Sequence, residues 1–109
     1  MSNITNIVAD KFESEVLKSK TPVLVDFWAT WCGPCQVMGP VLEEVATEIG
    51  AKAKIVKVDV DDKTNIALAR QYGIRSIPSM KIFKGGEVVA EFLGITPKED
   101  LVKALKDSA

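Results

Sequence analysis

The stretch Val23-Leu24-Val25-Asp26-Phe27-Trp28-Ala29-Thr30-Trp31-Cys32-Gly33-Pro34-Cys35 decides how the chain is read. Its first seven residues are apolar and rich in β-formers, interrupted only by Asp26, as in a central strand covered on both faces. Its last four hold the only two cysteines of the chain, three positions apart. Beyond them Val37, Met38, Val41, Leu42, Val45, Ala46 and Ile49 recur at helical spacing, and Gly50 closes the pattern. Pro40 lies inside that helix and predicts a kink. A dithiol is thus set between the end of a strand and the start of a helix.

Working outward, Asp10 and Glu13 read as a capping box, with Phe12, Val16 and Leu17 on one face of a first helix that Thr21-Pro22 ends. A short strand fits Ile4 to Val8. Lys54 to Val60 reads as a second buried strand, and Asp61-Asp62 start a helix carrying Ile66, Ala69 and Tyr72 that Gly73 closes. Ile77 to Phe83 is a third strand opened by Pro78, Lys84-Gly85-Gly86-Glu87 a hairpin turn, and Val88 to Leu93 the returning strand. Thr96-Pro97-Lys98-Glu99 combines an N-cap, a first-turn proline and a capping glutamate, with Leu101, Val102 and Leu105 inward. Early alternation of strands and helices requires parallel crossovers, and the late hairpin requires antiparallel pairing. The expected fold is α/β, with a mixed central sheet (parallel core plus antiparallel C-terminal hairpin) flanked by four helices.

The chain has 109 residues, enough for one domain spanning 1–109, and 47% are hydrophobic, so a core forms without disulfide staples. Fourteen basic residues against 15 acidic leave a net charge of −1 and no basic stripe, which argues against nucleic acid. Met1-Ser2-Asn3-Ile4-Thr5-Asn6 has neither the charged nor the apolar region of a signal peptide, and no apolar run is long enough to cross a bilayer. A cytoplasmic protein without membrane contact is expected. In that compartment a lone cysteine pair suits catalysis or metal binding better than a structural bridge. Histidine is absent, which removes Cys-His and Ser-His-Asp catalysis and His-ligated metal. A metal held by thiols needs four ligands, so two cysteines bind one only across a dimer.

The nucleophile of such a pair is the thiolate. Free N–H groups and the positive end of a helix favour an anion at its start. Gly33 removes bulk beside the sulfur, and Pro34 has little to lose near a helix N-terminus. Cys32, outermost, is expected to attack. Cys35, one turn in and more shielded, is expected to resolve the mixed disulfide. Asp26 stands out too: an unpaired carboxylate in an apolar strand costs several kcal/mol while ionised, so a raised pKa is expected. A bland alternative is an ion pair with Lys57 in the neighbouring strand.

Trp31-Cys32-Gly33-Pro34-Cys35 after Val25-Asp26-Phe27-Trp28-Ala29, together with Ile77-Pro78 and Phe83-Lys84-Gly85-Gly86, resembles the thioredoxin family over essentially the whole chain. The resemblance implies the thioredoxin fold and a protein-disulfide reductase that carries electrons in cell redox homeostasis. It implies no bound cofactor and no metal: NADPH and FAD act only through a partner thioredoxin reductase. Disulfide-containing proteins are the implied substrates, and the chain acts as a monomer. Asp26 then lies behind the pair and exchanges a proton with Cys35, with Lys57, Gly33 and Pro34 as modulators. Pro78 is implied to be cis, leaving the backbone of Ile77 to pair with an extended substrate. Trp31, Ile77, Pro78, Gly94 and Ile95 would form the substrate surface, while Trp28 sits behind the site. Gln36, Ser76, Ser79 and Met80 depart from residues common in the family. A dithiol oxidase or isomerase, a scaffold subunit and a metal-bridged dimer are the rival readings.

Overall fold

The computed structural model describes residues 4–109. Readings that rest on Met1, Ser2 and Asn3, namely the missing leader and the start of the 1–109 domain, fall outside the described residues. Five strands form one sheet in the order β1-β3-β2-β4-β5: β1 (Ile4–Asn6), β2 (Val23–Trp28), β3 (Lys54–Asp59), β4 (Ser79–Lys84) and β5 (Glu87–Leu93). Pairings of β3 with β1 and β2 are parallel, and those of β4 with β2 and β5 are antiparallel, which is the mixed sheet expected.

Alternation along the strands sorts the core into two layers. On one face Leu24, Ile55, Met80 and Ile82 pack against α1 (Gly33–Ile49) and α3 (Lys98–Asp107) through Met38, Leu42, Val45, Leu101 and Leu105. On the other, Val23, Val25, Phe27, Val58 and Phe83 meet Phe12, Val16 and Leu68, from the first helical segment and α2 (Ile66–Gln71). Phe12, Tyr72 and Phe83 lock this second layer, with ring centroids 5.4–5.5 Å apart. Each fully buried large side chain of this kind contributes roughly 1.5–3 kcal/mol. Four helical segments therefore flank the sheet.

Several local expectations are corrected. The first helical segment is irregular, a 3-10 turn at Ala9–Lys11 followed by a π turn at Glu13–Leu17. Val8, not Asp10, occupies its N-cap, and no side chain caps it, so the capping box does not form. Pro97 takes the N-cap of α3, and the Thr96 hydroxyl turns back to the Gly94 carbonyl instead. Asp62 does cap the 3-10 turn leading into α2, accepting from the Thr64 N–H at 2.9 Å. Pro40 sits within a continuous α1, and Val37, although part of the helical spacing, is exposed. Ile66 is likewise exposed, and Leu68 fills the core position. At the hairpin, Gly85 and Gly86 both have positive φ (61° and 84°), the pair a two-residue type I′ turn requires.

Candidate active site

The site forms where β2 runs out beneath the start of α1. Cys32 is the N-cap of α1 in extended conformation, and its Sγ accepts the Cys35 N–H at 3.2 Å. Gly33 and Pro34 fill the first turn, where proline has no helical hydrogen bond to lose. Cys32 and Cys35 are joined in a disulfide, with Cα atoms 5.2 Å apart. The Cys35 N–H and the positive end of α1 thus face Cys32 Sγ, which stabilises negative charge there when the bond is opened. The sequence predicted unequal shielding. The two residues are in fact similarly covered, at 4% and 3% exposure, so their asymmetry lies in position, one capping the helix and one inside it.

Ala29 clusters with the two cysteines, and Trp28, Val60 and Ile77 pack against that cluster. Asp26 shares the face of β2 that carries Trp28, two residues on. It is 1% exposed, and neither carboxylate oxygen has a hydrogen-bond partner among the described residues. Burial pushes its carboxyl up to about 6, against a smaller pull downward from the Lys57 ammonium. Lys57 is its register partner across β3, but no ion pair closes. The ammonium instead stands 4.3 Å from the centroid of the Trp28 ring. The simple Asp26–Lys57 pair is therefore not what the fold builds.

Across the pair, the Ile77–Pro78 peptide is cis, as the resemblance implies. The Ile77 carbonyl oxygen lies 3.6 Å from Cys32 Sγ. Gly94 donates its N–H to the Pro78 carbonyl at 2.9 Å, bringing Gly94 and the exposed Ile95 alongside. Trp31, 69% exposed, gives its indole N–H to the Asp61 carboxylate. Gln36 donates to the Thr30 carbonyl at 3.0 Å, bracing the loop before the cysteines. Sequence reasoning missed the Trp31–Asp61 bond, which joins residues 30 apart, and the Lys57–Trp28 stack. It also missed a groove beside Trp31 and Ile77, walled by Ile66, Arg70 and Arg75. Two arginines in a chain otherwise basic through lysine were the signal available for it. Among the described residues no cluster of three metal-ligating side chains occurs, and no helix is long and apolar enough to cross a membrane.

A closely spaced cysteine pair joined as a disulfide at a helix start suits thiol–disulfide exchange. The thioredoxin family model matches residues 3–107. Thioredoxin 1 of Nostoc sp. (strain PCC 7120) is 48% identical over 106 residues, 97% of each chain. Thioredoxin of Haemophilus influenzae is 50% identical over 101 residues, covering 93% of this chain and 92% of its own. Thioredoxin 2 of Chlorobaculum tepidum is 51% identical over 96 residues, 88% of this chain and 86% of its own. The chain belongs to the thioredoxin family and is a protein thiol–disulfide oxidoreductase.

Proposed function

We propose that the protein reduces disulfides in partner proteins by a two-step exchange in which Cys32 attacks and Cys35 resolves. The Cys32 thiolate displaces one sulfur of the partner disulfide, which leaves as a thiolate and takes up a proton. Cys35, deprotonated as its proton passes toward Asp26, then attacks Cys32 Sγ. The second partner sulfur leaves as a thiol, and two electrons have moved from the dithiol to the partner. The observation that carries this assignment is the N-cap position of Cys32, whose Sγ receives the Cys35 N–H. Asp26, buried without a partner and with its carboxyl near 6, has the proton affinity the second step needs at neutral pH.

Ile77 supports the substrate side of this reading. Among the described residues neither its N–H nor that of Ser76 donates a hydrogen bond, so both are open to an extended partner segment. Trp31, Pro34, Pro78, Gly94 and Ile95 then frame the contact, and Gly33 keeps the approach to Cys32 clear. The disulfide left at Cys32–Cys35 is re-reduced by a flavin-containing, NADPH-dependent thioredoxin reductase. The protein acts as a monomeric electron carrier in the cytoplasm.

Insulin reduction with dithiothreitol tests the roles. Cys32→Ser is expected to bring turnover to background and to form no adduct. Cys35→Ser is expected to accumulate a mixed disulfide at Cys32, seen on a non-reducing denaturing gel. An adduct in Cys32→Ser and none in Cys35→Ser would reverse the assignment. Repeating the assay with NADPH and a thioredoxin reductase in place of dithiothreitol tests the electron donor separately.

A further inference from the structure

The chain has only two arginines, Arg70 and Arg75, and both line the same groove, about 270 Å³ in volume, beside the disulfide. Its floor and walls are otherwise apolar, from Trp31, Ile66, Ile74 and Ile77. Ile66 is notable there: it is a large apolar side chain that is exposed and lines the groove. No acidic side chain lines the groove, and neither arginine forms an ion pair among the described residues. Asp61, next to the lining residue Val60, holds its carboxylate on the Trp31 indole. Two arginines without an ion-pair partner among the described residues thus line an apolar trough bounded by Ile77, whose carbonyl oxygen lies 3.6 Å from the attacking sulfur. A guanidinium presents a planar fork that matches a carboxylate with two parallel hydrogen bonds, which lysine does not reproduce.

We propose that this groove selects, among disulfide-bearing protein partners, those with a glutamate or aspartate a few residues from the attacked cysteine. The inference rests on the disulfide-reduction reading above and names the partner chemistry that the site favours. The partner's extended segment lays apolar side chains on Ile66 and Ile74, and its carboxylate bridges to Arg70 and Arg75. Charge complementarity at a partly covered rim acts mainly on encounter and orientation, so it appears in the rate of the first exchange.

The test uses two synthetic peptides, each closed by one intramolecular disulfide and identical except for glutamates or glutamines flanking the bridge. Protein reduced beforehand is mixed with each, and new peptide thiol is followed in time. Two electrons and two thiol protons pass from Cys32 and Cys35, which close their disulfide, to the peptide bridge, which opens to two thiols. At low ionic strength the glutamate peptide is expected to react about three- to tenfold faster, the range for two partly exposed ion pairs. That ratio is expected to fall to about 1 in Arg70→Gln/Arg75→Gln and to shrink in salt. Lys103→Gln/Lys106→Gln removes the same net charge from α3 and is expected to keep the ratio of the natural protein. Equal rates for the two peptides, a ratio surviving the arginine changes, or an equal loss in the lysine variant would each overturn the proposal. If neither peptide is reduced, the disulfide-reduction reading itself fails, which is a different result from equal reduction of both.

Discussion

Asp26 in the middle of β2 and Lys81 in the middle of β4 sit on adjacent inner strands, one register step apart, where Val25 faces Lys81 and Asp26 faces Met80. Both are buried. Lys81 reaches the carboxylate of Glu91, its cross-strand partner on β5, whose side chain is 59% exposed. That charge is paired, and the pair opens to water. Asp26 has no such outlet: Lys57, its register partner, stacks on Trp28, and neither of its oxygens has a donor among the described residues. A buried charge with a partner belongs to the architecture. One left alone is tolerated at a cost, and in the proposed exchange it is the site that takes the proton.

The largest test of this contrast is Asp26→Ala. The carboxyl is about 6 in the fold against an ordinary value of 3.8, so the unfolded chain releases its proton first. Folding stability is therefore lost as pH rises from about 4 to about 6 and stays lower above that. At pH 7 the alanine variant is expected to be more stable by about 2–3 kcal/mol, after the packing lost with the side chain, and the gain should vanish below about pH 4. Urea denaturation at both pH values measures it. Turnover at pH 7 should fall in the same variant; unchanged turnover would remove the proton role.

Glu91→Gln should act in the opposite direction. It leaves the Lys81 ammonium with a weaker neutral acceptor, and a loss of roughly 1–2 kcal/mol is expected by urea denaturation, with insulin reduction unaltered. Stabilisation would mean that Lys81 is not held by Glu91. Lys57→Met sharpens the comparison from the other side. With the pull of the Lys57 ammonium on the carboxylate gone, the Asp26 carboxyl should titrate above 6, read by the pH at which carboxyl NMR shifts change. A downward move would show that Lys57 acts on Asp26 by something other than charge. The smallest effect is expected for Lys81→Met, under about 1 kcal/mol, because an apolar side chain of similar length replaces an ion pair at little net loss.

Much of this was legible before any coordinates. The strand Val23–Trp28, the helix begun at Gly33 and the mixed sheet follow from unbroken apolar patterning and from where the chain must cross over. What did not read through depends on geometry that spacing does not carry. Asp10 and Glu13 have the spacing of a capping box, but the segment begins at Ala9 and winds as 3-10 and π turns, so no cap forms. Lys57 and Asp26 are register partners, as an ion pair would need, yet the ammonium turns to an aromatic face instead. Ile66 and Val37 keep helical spacing but face outward, and Ile66 lines the groove beside Trp31. The redox pair was visible in five residues; the groove next to it was assembled from segments 31, 66, 70 and 75, far apart in the sequence.

The strand order has a consequence for how many partners such a protein serves. From Ser79 onward β4 is bonded on both sides, by β2 and by β5, and the free edges of the sheet lie at β1 and β5. In the proposed exchange a visiting chain meets no long ladder near the disulfide among the described residues, but the open N–H groups of Ser76 and Ile77 ahead of β4. On that proposal, recognition through the main chain is a grip of one or two residues. So brief a grip asks little of a guest's wider sequence, and leaves the side chains around it to decide who stays.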